Sequence, residues 1–157
     1  MPIERPAWLR AGDVSPRTGS VYPAALAEAV KGREKRALGD AFGLDQFGVN
    51  HTTLAPGAAS ALRHWHERED EFIFVLDGVI TLIDDAGAHE LKPGMCAGFK
   101  AGVANGHHLV NRSPAPASYL EIGTRSAEEV ASYPDDDLRG LKTAGKFSFT
   151  RKDGTGY

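Results

Sequence analysis

The stretch HWHEREDEFIFVLDG, His64 to Gly78, decides how the chain is read. Side chains two apart on an extended strand point to one face, so His64 and His66 can reach a single point in space. Glu71 follows five residues after His66, and the apolar run from Phe72 to Leu76 ends at an Asp77-Gly78 turn signal. Neutral imidazole is the commonest metal-binding side chain, and a nearby carboxylate would add charge to such a site. The strand predicted over 71–76 is apolar on both faces. Ile73 and Val75 lie on the side of Glu71, and Phe72, Phe74 and Leu76 lie opposite. A one-sided antiparallel sheet alternates apolar with polar, so the outer face calls for a cover. The candidates are the N-terminal arm, a helix at 23–31, or a second subunit.

A second cluster, GMCAGFKAGVANGHHLVN, runs from Gly94 to Asn111. Of its adjacent histidines, His107 is favoured over His108, because Asn111, four residues on, shares its strand face. With both stretches in hand, the chain resembles the cupin superfamily. Gly57, His64, His66, Glu71 and Gly78 match the first cupin motif, with one extra residue between Gly57 and His64. Gly94, Gly102, His107 and Asn111 match the second, although Lys100 stands where proline is usual and two additional residues separate Gly102 from His107. The resemblance spans roughly residues 38–124. It implies an all-β fold, the double-stranded β-helix or jelly-roll barrel. It also implies His64, His66, Glu71 and His107 as ligands of one divalent metal ion. Donor type admits zinc, iron, manganese or nickel without choosing among them.

Composition bounds the rest. A length of 157 residues suits one domain with a sizeable core. The net charge of -3 offers no basic footprint for nucleic acid, and no helix-turn-helix pattern accompanies the predicted barrel. No apolar run has the length of a membrane span, the start MPIERPAWLR lacks a signal-peptide core, and Cys96 is the single cysteine. These features fit a cytoplasmic protein that meets a small-molecule ligand rather than nucleic acid or membrane.

Three segments are expected: an N-terminal arm and short helix over 1–37, the barrel over 38–124, and a C-terminal helix and tail over 125–157 packing on it. The arm is proline- and glycine-rich, with Trp8 and Leu9 to bury. Residues 23–31 predict a short helix with Pro23 in its first turn. The basic stretch Lys31 to Arg36 reads as a solvated face, with phosphate binding as the sharper alternative. Residues 44–54 predict the first barrel strand, with Phe47, Val49, His51 and Thr53 on one face, and 61–66 the strand that carries the His pair. His51 reads as a surface or hydrogen-bonded strand histidine, His89 as exposed, and Cys96 as a buried small hydrophobe. Ser126 to Glu129 matches a capping box and predicts a helix to about Ser132. Phe147 and Phe149 predict an edge strand in the tail.

Three imidazoles and a carboxylate leave two positions free on a six-coordinate ion. A metal-dependent enzyme acting on a small polar metabolite is therefore expected, of the sugar or sugar-phosphate isomerase or epimerase type. The alternatives are an iron-dependent dioxygenase and a non-catalytic binding or sensing cupin. Tyr119, Glu121, His51 and Arg125 are the acid–base candidates, and Arg63, Lys100 and Arg125 the candidate cationic anchors. The doubly apolar strand predicts a homodimer, against a monomer whose own extensions cover that face.

Overall fold

The computed structural model describes residues 5–157, so part of the arm, residues 1–4, lies outside the described residues. Its strands are β1 (Arg33–Ala37), β2 (Phe47–Leu54), β3 (Trp65–His66), β4 (Glu71–Asp77), β5 (Ile80–Asp84), β6 (Gly87–Leu91), β7 (Cys96–Phe99), β8 (His108–Val110), β9 (Ala117–Thr124), β10 (Glu129–Ser132), β11 (Arg139–Thr143) and β12 (Lys146–Thr150). One α-helix, α1 (Leu38–Phe42), follows β1. The strands form three antiparallel sheets, in the orders β1-β2-β9-β4-β7, β12-β11-β10-β3 and β6-β5-β8. This is the all-β jelly-roll barrel expected from the sequence.

The main core lies between the five-stranded and three-stranded sheets. Leu54, Ile73, Val75 and Tyr119 from the first meet Ile80, Leu82 and Leu109 from the second. Alternation along β4 decides this: Ile73 and Val75 are buried, while Phe72, Phe74 and Leu76 are exposed. The turn after β4 requires glycine. Gly78 has φ +74°, and a Cβ there would lie 2.7 Å from the Ala117 Cβ and 2.8 Å from the Pro116 carbonyl oxygen.

Several expectations are corrected. Residues 23–31 do form a helix, but a 3-10 helix, Ala24–Val30, with Pro23 at its N-cap. It packs Leu26 with Tyr22, Leu62 and Phe149 onto Ala131 of the four-stranded sheet and onto Tyr133 and Leu138 in the β10–β11 connection, not onto the Phe74 face. Lys31 to Arg36 is no free solvated face: Arg33–Ala37 pairs with β2 as a sheet-edge strand. The strand expected over 61–66 shrinks to Trp65–His66, with an isolated bridge at His64. The capping-box helix is absent. Glu129–Ser132 is a strand between β11 and β3, because the Glu129 side chain turns inward to bind main chain instead of capping a helix. The tail does add an edge strand, Lys146–Thr150. Trp8 is 80% exposed, so the arm does not bury it, and Cys96 is exposed on the outer face opposite Phe74.

Candidate metal centre

The backbone brings the two sequence clusters together. His64 and His107 face each other in an isolated antiparallel bridge, exchanging N–H···O bonds of 3.2 and 2.9 Å. His66 ends the short β3, and Glu71 opens β4. Ligand atoms of His64, His66 and Glu71 lie within 4.8 Å of one another. His107 joins them through Glu71, with Nε2 2.7 Å from Oε2. His108 turns away and donates from Nδ1 to the Ala61 carbonyl at 2.8 Å. Asn111 is fully buried and anchors the chain instead, donating to the Leu54 and Ala115 carbonyls.

The second nitrogen of each ring fixes its tautomer. Nδ1 of His64 lies 2.7 Å from the Leu62 carbonyl, and Nδ1 of His107 lies 2.9 Å from the Asn105 carbonyl. A carbonyl only accepts, so both Nδ1 atoms carry a proton and each Nε2 is turned to the cluster. Nε2 of His107 meets a carboxylate oxygen, and that of His64 lies 3.1 Å from Nε2 of His66. A proton shared at each of these contacts can be displaced by a divalent ion. Two preset imidazoles, a third beside them and a carboxylate are a donor set that fits a divalent ion.

Electrostatics keeps the set ready. Burial would raise the Glu71 carboxyl, but the His107 hydrogen bond and the surrounding imidazoles outweigh it and hold the group down to about 2. Burial pushes His64 down to about 4, with the Glu71 charge opposing only in part. Ring positions are fixed by stacking: Phe99 lies on His107 with centroids 3.5 Å apart and planes at 3°, and Tyr133 covers His64 at 5.6 Å.

Glu129 is a participant that sequence reasoning missed. Only 2% exposed, its carboxylate accepts the main-chain N–H groups of Glu67 (2.8 Å), Arg68 (3.1 Å) and Val130 (2.7 Å). It thereby clamps the loop joining His66 to Glu71. The neighbouring Glu69 takes Lys142 and the Ser126 N–H. His66, Glu69 and Glu129 also cluster within 4.8 Å, but both carboxylates already have donors.

The four predicted residues border a cavity of about 340 Å³, within the size range of small-molecule sites. Its wall is the inner face of the five-stranded sheet. Glu121 lies there beside Ile73 and is held by Lys35 Nζ at 2.9 Å and Asn50 Nδ2 at 3.3 Å. Gly123, opposite Glu71, leaves room at that point: a Cβ there would meet the Asp70 carbonyl oxygen at 3.1 Å. Of the other acid–base candidates, Tyr119 is fully buried, His51 lies on the outer face opposite Leu120 and Arg36, and Arg125 is paired with Asp40. Among the expected anchors, Arg125 borders the cavity, Lys100 borders a smaller hollow that shares His66, Glu71 and His107 with it, and Arg63 is committed to Asp85 and Asp135. Arg33 and Lys35, from the stretch first read as a solvated face, border the cavity. The sequence REKRA at 33–37 carries no apolar alternation that would have announced the strand.

A Cupin domain family model matches residues 50–123. A sugar phosphate isomerase of the cupin superfamily from Silicibacter pomeroyi is 49% identical, with 96% of each chain covered and a TM-score of 0.92. A provisionally named sugar phosphate isomerase from Acidithiobacillus ferrooxidans is 27% identical, covering 96% of this chain and 95% of that one, with a TM-score of 0.79. The polyketide cyclase RemF of Streptomyces resistomycificus, 22% identical over 74% of this chain and 78% of its own, shares the fold with a TM-score of 0.62. No curated protein sequence matches. With the two motifs, the jelly-roll sheets and the histidine–glutamate cluster on one barrel, the chain belongs to the cupin superfamily.

Proposed function

We propose that this cupin is a metal-dependent enzyme that interconverts aldose and ketose forms of a small sugar or sugar phosphate. His64, His66, Glu71 and His107 would hold one divalent ion: zinc, iron, manganese or nickel by donor type. Such an ion, when bound, polarises a carbonyl and acidifies a neighbouring hydroxyl. The observation that carries the reading is the convergence of three imidazoles and the Glu71 carboxylate, two of the rings oriented through Nδ1, at the edge of a ligand-sized cavity. The likeness to the Silicibacter pomeroyi sugar phosphate isomerase supports the reaction class.

The chain's own residues supply the proton transfer. Glu121 is the wall carboxylate that can take a proton from the carbon beside a carbonyl and return it to the adjacent carbon. Lys35 and Asn50 fix its orientation. Phe99 and Tyr133 keep the imidazoles in place.

Two further features belong to this reading. The outer face, with Phe72, Phe74 and Leu76 exposed, fits a two-fold homodimer, the commonest closed assembly. The exposed thiol of Cys96 suits a reducing, cytoplasmic compartment.

Elemental analysis of protein purified without chelators, followed by incubation with aldose and ketose phosphates in deuterated water, tests the function. A single divalent ion per chain is expected, with deuterium appearing next to the carbonyl. Iron accompanied by oxygen uptake, with no exchange, would overturn the isomerase reading in favour of dioxygen chemistry.

A further inference from the structure

Four cationic side chains border the cavity, and three of them are matched to carboxylates: Lys35 to Glu121, Arg125 to Asp40 and Lys142 to Glu69. Arg33 is different. Among the described residues it has no carboxylate partner. Its Nη1 donates to the Ser60 carbonyl at 2.6 Å and its Nη2 to the Gly19 carbonyl at 3.1 Å. Those carbonyls take two of the five guanidinium hydrogens and leave the charge unneutralised. Nε is buried with no hydrogen-bond partner.

The groups around it are donors as well. Ser20 and Ser60 border the cavity, and each hydroxyl oxygen already accepts a main-chain N–H, from Tyr22 at 2.9 Å and Leu109 at 3.0 Å. The Ser20 hydroxyl keeps its hydrogen to donate, and the Ser60 hydroxyl lies within hydrogen-bonding reach of the Tyr119 hydroxyl, itself buried at the cavity beside Thr52. An unneutralised guanidinium beside hydroxyl donors has the chemistry of an anion site. Asp40, behind the lining, neutralises Arg125, so Arg33 is the one of these four cations left without a counter-charge among the described residues.

We propose that the end of the cavity around Arg33, Ser20 and Ser60 is a subsite that holds the phosphate of a phosphorylated sugar. This rests on reading the cavity as a sugar site and narrows the substrate to phosphate esters anchored away from the imidazole cluster.

The test is binding of inorganic phosphate, followed by calorimetry on the metal-loaded protein and on chelator-treated protein. Phosphate binds both forms of the wild type. Arg33→Met weakens binding about tenfold or more, the loss expected for a charge-assisted contact, while His89→Ala, outside the cavity and paired with Asp84, leaves phosphate binding unchanged. If Arg33→Met fails to fold, Arg33→Lys and the Ser60→Ala variant give the answer, each weakening phosphate binding severalfold. Wild-type affinity in the Arg33 variants, or no phosphate binding up to tens of millimolar, overturns the subsite. Set beside the deuterium-exchange experiment, phosphate binding without isomerisation refutes the proposed reaction alone. Isomerisation of unphosphorylated sugars without phosphate binding refutes the subsite alone.

Discussion

Replacing Glu129 tests whether a residue outside the imidazole cluster sets its geometry. In Glu129→Ala, the main-chain N–H groups of Glu67, Arg68 and Val130 lose a carboxylate acceptor at 2.7–3.1 Å. At roughly 1.5 kcal/mol per bond to a charged acceptor, the low end of the range, three bonds are worth about 4.5 kcal/mol, less the part that the Glu67 N–H keeps through its 3.1 Å bond to the Val130 carbonyl. Water entering the space would lower this figure. Oε1 takes all three of these bonds, with Oε2 sharing only Arg68. Glu129→Gln can keep an oxygen there and should cost about 1–2 kcal/mol. The loop these bonds fix runs from His66 to Glu71, so divalent-ion affinity should also fall, by roughly 10–100-fold in the alanine variant, as for other groups that orient metal ligands. Urea unfolding of the ion-free proteins gives the stability term, and competitive chelator titration gives the affinity. An alanine variant less than about 1 kcal/mol weaker, with unchanged ion affinity, would refute the clamp.

Three other outcomes are expected. His64→Ala and His66→Ala lose most bound metal but keep the fold, because the main core of Leu54, Val75, Ile80 and their neighbours is independent of the cluster; His89→Ala, whose exposed ring meets only Asp84, changes nothing, and metal content by mass spectrometry decides. In ion-free protein, burial holds His64 at about 4 against an ordinary 6.5, so the unfolded chain binds the extra proton and stability falls as pH drops from 6.5 towards 4, by about 3 kcal/mol at most. Glu71, held near 2 against 4.5, adds stability that is complete above 4.5 and drains below it; His64→Gln should flatten the upper limb of a pH series of urea melts, and an unaltered limb would contradict the assignment. Phe74→Asp should convert a dimer into folded monomer in sedimentation, since Phe74 is already exposed on the single chain, and a wild-type monomer at micromolar concentration would remove the dimer.

Strand periodicity and ligand chemistry are local, so the sequence itself determined much. Two histidines two apart, a carboxylate opening an apolar strand, and a glycine turn at Gly78 announce the cluster, and through the cupin resemblance they carry they imply the barrel. The four-residue step from His107 to Asn111 was enough to favour His107, and the structure does turn that ring to Glu71 while His108 faces Ala61. The apolar outer face of β4 was legible for the same reason.

What the tertiary structure alone decided came from partners distant in sequence. Arg33 and Lys35 looked like solvated charges until β2 paired with their strand and turned both towards the cavity. Ser126 to Glu129 satisfies the local rule for a helix start. A strand wins there because residues 65–66 and 139–142 offer it two pairing edges, and the loop after His66 offers Glu129 buried N–H donors. Cys96 and Trp8 have apolar side chains suited to burial, yet no element among the described residues covers them. Local rules fix what a segment prefers. Which carboxylate meets which N–H, and which cation is left without a counter-charge, depends on sheet register, and register is set by the whole fold.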